Sequence, residues 1–310
     1  MIPVSIVILT FNRRDNVLGL LDELSGITDP ATDVIVVDNG SADGTAEAVA
    51  ELFPAVRLVA LTENVGVGGR NRGMDVARGE IIITLDDDMV DFGDAEIAGV
   101  RRAFAARNDL GAVNFKITWP GTDRVRDWVH HRPTADAEEI FETYEITEGA
   151  VAWRRAALDE VGRYRDDFFI SHEGLDLALR LLDAGWVVGY DGNISIGHMP
   201  AVGGRKSWRR YYYDTRNLIW IAVLHLAWPT AVWYLIKGLG AMLVYSARDG
   251  FLIYWLRAIR DGVSGGRALL AERRPVSATT REYLRECDRH RESFWRMVRK
   301  RFGQRGFSLE

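Results

Sequence analysis

The chain has 310 residues, 47% of them hydrophobic, a formal net charge of −5 and one cysteine, Cys287. That size builds one large domain or a domain with an appendage. The single thiol excludes an internal disulfide framework and fits a reducing compartment; the acidic balance excludes a general attraction to nucleic acid.

The charge is uneven. From Arg257 onward 14 Lys and Arg face 7 Asp and Glu, so the tail carries +7 and the remainder −12. A basic tail on an acidic body points to an anionic surface as partner, or to a salt-bridged helical face.

In chain order, VSIVILT (Val4–Thr10) is a continuous apolar run, the pattern of a strand covered on both faces. No positive region precedes it, so a strand is expected there and not a secretory signal. Val17, Leu20, Leu21 and Leu24 follow at helical spacing. DVIVVDNG (Asp33–Gly40) is a second strand, and Ser41 and Asp43 are expected to cap a helix through about Phe53. RLVALTE (Arg57–Glu63) is a third strand. The Gly-rich NVGVGGRNRG (Asn64–Gly73) leads into a helix through about Arg78, and EIIITLDDD is a fourth strand. Strand–helix alternation with short connections predicts an α/β fold with a mostly parallel, Rossmann-like sheet flanked by helices.

Ligands of such sheets bind outside the carboxyl ends of the strands. The polar clusters fall there: Thr10 to Arg14, Asp38 to Ser41, Asn64, and Asp86–Asp88. Three adjacent carboxylates repel one another and disfavour strand structure. A hard divalent cation, Mn²⁺ or Mg²⁺, offsets that repulsion; a solvated acidic turn is the plainer alternative.

Farther on, GAVNFKITW (Gly111–Trp119) is a strand, 120–145 a polar loop, and EGAVAWRRAAL (Glu148–Leu158) a strand running into a helix. HEGLDLALRLLDAGW (His172–Trp186) is an amphipathic helix with Leu175, Leu179 and Leu182 on one face, stopped by Gly185. WVVGYD and ISIGHM are short strands. LIWIAVLHLAWPTAVWYLI (Leu218–Ile236) is long enough to cross a bilayer, but His225 and Pro229 interrupt it. Leu284, Cys287, Phe294, Val298 and Phe302 make an apolar stripe among arginines. These helices suit a peripheral attachment to the membrane interface; packing on the first domain and a homo-oligomer interface are the alternatives. The expected division is 1–217 and 218–310, the second part a helical appendage.

The ordered set VSIVILTFNR, IVVDNGSADGT, NVGVGGRNRG, IIITLDDDMV, EGAVAWRRAAL, FFISHEGLDLALRLLDAGW, His198 and YYYDTRNLIWI resembles family 2 glycosyltransferases of the GT-A fold, particularly bacterial rhamnosyl- and galactofuranosyl-transferases. The resemblance covers about residues 3–220. It implies metal-dependent, inverting transfer of a sugar from a UDP- or dTDP-sugar to a hydroxyl on a glycan, a lipid-linked glycan or a small natural product. The setting it implies is the cytoplasm, with the C-terminal region on the inner face of the cell membrane.

Residue by residue, the resemblance makes Asp88 the first metal ligand, with Asp86 reaching the metal through water or contacting the ribose, Asp87 beside them, and His198 a further ligand. Asp38 is the base-recognition carboxylate. Thr10, Asn12 and Arg14 line the nucleotide, with Asn64 and Arg70 as further donors, and Gly66, Gly68 and Gly69 allow close backbone approach. Trp119 and Trp153 are either acceptor platforms or packing residues. Arg216 and Asn217 position the C-terminal helices or touch the donor phosphates.

One departure matters. The family pattern is Glu-Asp-x-Asp-Leu, and this chain reads Glu173-Gly174-Leu175-Asp176-Leu177. Gly174 stands where the general base is expected and has no proton acceptor. Either Glu173 or Asp176 serves instead, or the protein is a catalytically impaired nucleotide-sugar-binding subunit. A nucleotidyltransferase is a lesser alternative, because TFNRRDN replaces the Gly-rich loop such enzymes carry after strand one.

Overall fold

Alternation within the first strand, β1 (Val4–Thr10), decides which layer each residue joins: Val4, Ile6 and Ile8 enter one apolar cluster and Val7 the other. The computed structural model describes residues 1–199 and 207–290. Over those residues β1 pairs in parallel with β2 (Thr32–Asp38), which pairs in parallel with β3 (Arg57–Ala60), while β4 (Ile81–Asp86) lies parallel on the other side of β1. β5 (Met89–Val90) is a short edge strand. β6 (Leu110–Thr118) and β10 (Val187–His198) run parallel to one another, and β9 (Ala150–Arg154) is inserted antiparallel between β4 and β6. The two small strands β7 (Val125–Asp127) and β8 (Ile140–Glu142) hang antiparallel on β6 and β10. The sheet is therefore mixed, in the order β3-β2-β1-β4-β9-β6-β10-β5.

Helices cover both faces. α1 (Arg14–Leu24), α2 (Thr45–Leu52) and α4 (Asp94–Ala106) bury Leu20, Leu21, Val49, Ile97 and Phe104 on one side. α3 (Gly69–Val76), α5 (Arg155–Val161) and α6 (Glu173–Asp183) bury Met74, Leu158, Leu177 and Leu181 on the other. Each such aliphatic side chain contributes about 1.5–3 kcal/mol when fully buried.

Several expectations are corrected. α6 turns Leu177, Ala178 and Leu181 to the sheet, while Leu175 and Leu179 face the C-terminal helices, because α6 is packed on two sides. WVVGYD and ISIGHM form one strand, β10, irregular between Asp191 and Ser195. The segment 120–145 carries β7 and β8, and its Trp128, His130 and Phe141 form an aromatic cluster with Tyr190 of β10. Ser41 does not cap α2; its hydroxyl accepts from the Asn12 N–H at 2.8 Å, and Asp43 accepts from the Thr45 N–H at 3.2 Å.

The apolar stretch from Leu218 is two helices, not one. α7 (Trp208–His225) ends at Leu226, and α8 (Trp228–Arg248) restarts with Pro229 in its first turn, where the missing N–H costs nothing. The expected boundary after Asn217 falls inside α7. α9 (Leu252–Leu269) packs along α7, and α10 (Ala278–Arg289) docks on α6 through Asp183, which accepts from the Ser277 N–H and the Thr280 hydroxyl. Phe294, Val298 and Phe302 lie outside the described residues.

Asp176 ties α6 to α7. It is fully buried, and its two oxygens take Arg180 at 2.7 and 3.0 Å and His225 Nε2 at 2.7 Å. Burial would raise its carboxyl, but His225 and Arg180 hold it below the usual carboxylate range. Removing one partner from such a buried cluster strands the other charges. Asp176→Asn is expected to cost about 3 kcal/mol by equilibrium urea unfolding; an unchanged midpoint would show that α6 and α7 are held by apolar packing alone.

Candidate active site

The strands bring their carboxyl ends into line. Thr10 lies opposite Asp38, and Leu9 opposite Asp86. The loops beyond are fastened to each other. Asn12, itself at φ 53°, accepts from the Ala42 N–H at 2.8 Å. The buried Asp38 accepts from the Ser41 N–H at 3.2 Å. The backbone N–H of Arg14 donates to Asp43 at 3.1 Å.

The acidic triplet splits three ways. Asp86 is paired with the buried Arg70. Asp87 accepts from the Thr10 hydroxyl at 2.7 Å and from Arg13 at 3.0 Å. Burial is the main reason its carboxyl is pushed up to about 6, against the pull of Arg13. Asp88 meets Arg13 on one side and His198 Nε2, 3.5 Å away, on the other. Burial would raise Asp88, yet His198 and Arg13 together hold it below the usual range. Burial would likewise lower His198, but Asp127 at 2.8 Å and Asp88 outweigh it and push the imidazole up to about 9.

Thus the structure brings Asp88 and His198 together, while Asp86 is committed to Arg70. Arg13, not Arg14, is the guanidinium that reaches the triplet. Among the described residues no three His, Cys, Asp or Glu side chains form a ready cation cage. The donor set nevertheless suits Mn²⁺ or Mg²⁺: an ionised carboxylate and an imidazole side by side, with the Arg13 cation lying against the same carboxylate. A ligating His198 would first release its proton.

The Gly-rich turn packs against protein. Gly66, at φ +67°, lies so close to the Phe169 carbonyl that a Cβ would stand 2.0 Å from its oxygen. Asn64 and Asn39 tie this turn down, Asn39 Nδ2 donating to Asn64 at 3.1 Å and to the Gly66 carbonyl at 3.0 Å.

Behind Gly66 the segment ahead of α6 is strained. Phe169, Ser171 and His172 all have positive φ, at 63°, 73° and 65°, and each costs of order 1–3 kcal/mol. Asn217 holds them by donating to the carbonyls of Phe168, Ile170 and Ser171 at 2.7–3.0 Å. Arg216 donates to the carbonyls of Asp167 and Phe168.

This brace sets Glu173 at the first position of α6, inside a buried cluster. Glu148 faces Arg70 at 3.5 Å and accepts from the Tyr164 hydroxyl at 3.1 Å. Three atoms here have no hydrogen-bond partner: Arg70 Nε, Glu148 Oε1 and Glu173 Oε2. Burial pushes Glu173 up to about 7, and burial together with Glu173 pushes Glu148 up to about 8.

Asp176, by contrast, has both oxygens engaged in packing, which departs from its expected place as an alternative base. Trp153 is fully buried with its indole N–H on the Thr84 hydroxyl, so it is a packing residue. Trp119 lies between Arg124 and Arg126. Arg13, in the polar cluster after β1, and Asp127, Tyr164 and Glu148 belong to the site although the sequence assigns none of them an individual role. Of these only Glu148 had a local signal, a carboxylate opening an apolar strand.

A parallel nucleotide-type half sheet, an antiparallel insertion and an acidic triplet at the strand ends make the GT-A architecture of glycosyltransferases. The chain belongs to glycosyl transferase family 2, whose family model matches residues 5–162, and it is a glycosyltransferase. It is 25% identical over 263 residues to the N-acetylglucosaminyl-diphospho-decaprenol L-rhamnosyltransferase of Mycobacterium tuberculosis, a match covering 72% of this chain and 85% of that one. To the succinoglycan biosynthesis protein ExoO of Rhizobium meliloti it is 34% identical over 116 residues, covering 37% of this chain but only 33% of ExoO. The fold is shared with the mannosyltransferase PcManGT of Pyrobaculum calidifontis, solved with GDP-Man and Mn²⁺, at a TM-score of 0.56 and 20% identity over 84% of this chain and 87% of that one. It is also shared with S. aureus TarS 1-349 in complex with UDP-GlcNAc, at 0.56 and 17% over 84% and 80%.

The raised groups fix a sign for stability against pH. Glu148, Glu173 and His198 all bind protons more tightly folded than unfolded. The stability they confer is complete below their unfolded pKa values and is lost as pH rises through about 7, 8 and 9. Metal-free protein is therefore expected to have a lower urea midpoint at pH 9 than at pH 6; a midpoint that rises over this window would contradict the burial of the pair.

Proposed function

We propose that this glycosyltransferase is a metal-dependent inverting enzyme, taking its sugar from a UDP- or dTDP-linked donor and passing it to a hydroxyl of a lipid-linked or polysaccharide glycan. The observation that carries the reading is the pairing of Asp88 with His198, in a triplet whose Asp86 is joined through Arg70 to Glu148 of the buried carboxylate cluster. Asp38 accepts from the N3–H of the pyrimidine, next to Thr10 and Asn12. Arg13 and Arg70 are the guanidiniums within reach of a diphosphate. Asp88 and His198 would hold the divalent cation, which supplies Lewis-acid neutralisation of the leaving diphosphate. The proton acceptor for the attacking hydroxyl belongs to the carboxylate cluster around Glu173.

The acceptor side is supported by the last helices. Trp228, Val232, Trp233 and Ile236 on α8 are more than half exposed, and Ile253 and Leu256 on α9 likewise. Among the described residues α8 is the one helix long and apolar enough to cross a membrane, and little of it is buried. α8 itself carries Lys237 and Arg248, and α9 carries Arg257, cations that suit an anionic leaflet. Such a face brings the cleft to a lipid-linked acceptor; the rhamnosyltransferase relative is named for one. An impaired nucleotide-sugar binder remains the second reading, on the strength of Gly174.

Two experiments bear on these assignments. In a thermal-shift panel of UDP-, dTDP- and GDP-sugars, one nucleotide class is expected to stabilise the wild type only with Mn²⁺, and Asp88→Ala to abolish that shift; an Mn²⁺-dependent shift retained in the variant removes Asp88 as ligand. In flotation with phosphatidylglycerol-containing vesicles, Trp233→Glu combined with Ile236→Glu is expected to weaken binding about tenfold or more. Equal flotation of wild type and variant would assign the face to self-association.

A further inference from the structure

Gly174 lacks a side chain because another residue occupies its place. A Cβ built on Gly174 would lie 2.1 Å from Glu148 Oε1 and 2.8 Å from Ile146 Cβ. Contacts that short do not occur, and Oε1 lies inside a packed cluster, so any side chain at 174 must displace Glu148. The carboxyl of Glu148 therefore stands where the Cβ of a residue at 174 would begin its side chain, so the two compete for neighbouring space. They reach it from different directions, Glu148 from the turn before β9 and residue 174 from the first turn of α6.

We infer that Glu148 is the general base of this enzyme, supplying from the β9 side the carboxylate that α6 lacks at Gly174. The inference rests on the transferase reading above. Three observations favour Glu148 over its neighbours. The Glu148 side chain is 28% exposed, against 1% for Asp176, and the whole Glu173 residue is only 4% exposed. Its second oxygen accepts from the Tyr164 hydroxyl and is faced by Arg70, while Oε1, like Glu173 Oε2, is buried without a hydrogen-bond partner and lies against Gly174. Asp176 has no free oxygen, being held by Arg180 and His225.

The chemistry balances. Glu148 takes the proton of the attacking hydroxyl, that oxygen forms the new bond to the anomeric carbon, and the bond from that carbon to the diphosphate oxygen breaks with its electron pair leaving on the diphosphate. Glu173, buried beside it at the N-terminus of α6, is a positioning residue. The other groups facing Glu148 are Arg70 from α3, Asp86 from β4 and Tyr164 after α5.

The test uses the full chain with Mn²⁺ and the UDP- and dTDP-sugar panel, water serving as acceptor and released nucleotide as the readout. Glu148→Gln is expected to slow release by about 10²-fold or more, with the donor-induced thermal shift unchanged. Gly174→Asp alone is expected to destabilise the protein by steric conflict. The triple change Glu148→Ala, Ile146→Ala and Gly174→Asp removes the Glu148 carboxyl and the Ile146 Cγ2 from that space, leaving the Ile146 Cβ to shift, and is expected to recover at least about tenfold of the activity lost in Glu148→Ala with Ile146→Ala. Wild-type rates in Glu148→Gln would overturn the inference, as would a folded, donor-binding triple variant no faster than Glu148→Ala with Ile146→Ala. A wild type that binds no donor overturns the transferase reading itself, and this inference with it; donor binding by the wild type separates the two failures.

Discussion

Three hydrogen bonds from one amide hold the catalytic end of this molecule together. Asn217 Nδ2 reaches the carbonyls of Phe168, Ile170 and Ser171, and through them fixes a segment in which Phe169, Ser171 and His172 sit in left-handed conformations. Residues of that kind return to ordinary backbone unless the surroundings over-determine them. The brace comes from α7, outside the sheet domain, and what it positions is the first turn of α6. From the same segment the Phe169 carbonyl accepts from the Val67 N–H at 2.7 Å, inside the Gly-rich turn. The C-terminal helices are thus part of the site's construction, whatever surface their outer faces meet.

Charge in the triplet is arranged so that none of its three acids stands alone. Asp86 has Arg70, Asp87 has Arg13 and Thr10, and Asp88 has Arg13 and His198. Three successive carboxylates at a strand end would otherwise repel one another in a partly buried place. The two arginines come from segments that follow different strands, Arg13 after β1 and Arg70 in α3. Under the proposed function, a polyanionic nucleotide would give these cations a second partner and a divalent ion held by Asp88 would offset the added negative charge.

Much of this was legible in the sequence, because apolar runs that stop abruptly on polar residues mark the carboxyl ends of buried strands. Thr10, Asp38 and Asp86 were found that way, and the α1 stripe of Val17, Leu20, Leu21 and Leu24 is buried as its spacing required. What failed to show was anything decided by contacts between distant segments. Arg13 and Arg14 are adjacent and chemically identical; only the turn of the chain into α1 sends the first to the triplet. Asp176 reads as a free helical carboxylate until His225, 49 positions on, closes over it. Trp153 offers a sugar platform in the sequence and is a core residue in the fold, since β9 is covered on both faces.

Gly174 is the sharpest case of this difference. Along the chain it is a deletion of function, a glycine in place of an acid at a helix N-terminus. In space it borders the Glu148 carboxyl and Ile146, and a Cβ there would meet Glu148 Oε1 and Ile146 Cβ unless they moved. A motif records which segment carries a group, whereas catalysis requires only that the group stand beside the reacting oxygen with a lone pair to offer. Two segments that border the same volume are able to exchange that duty. The exchange asks for two coordinated features, a carboxylate on one wall and the absence of a side chain on the other, and this chain has both.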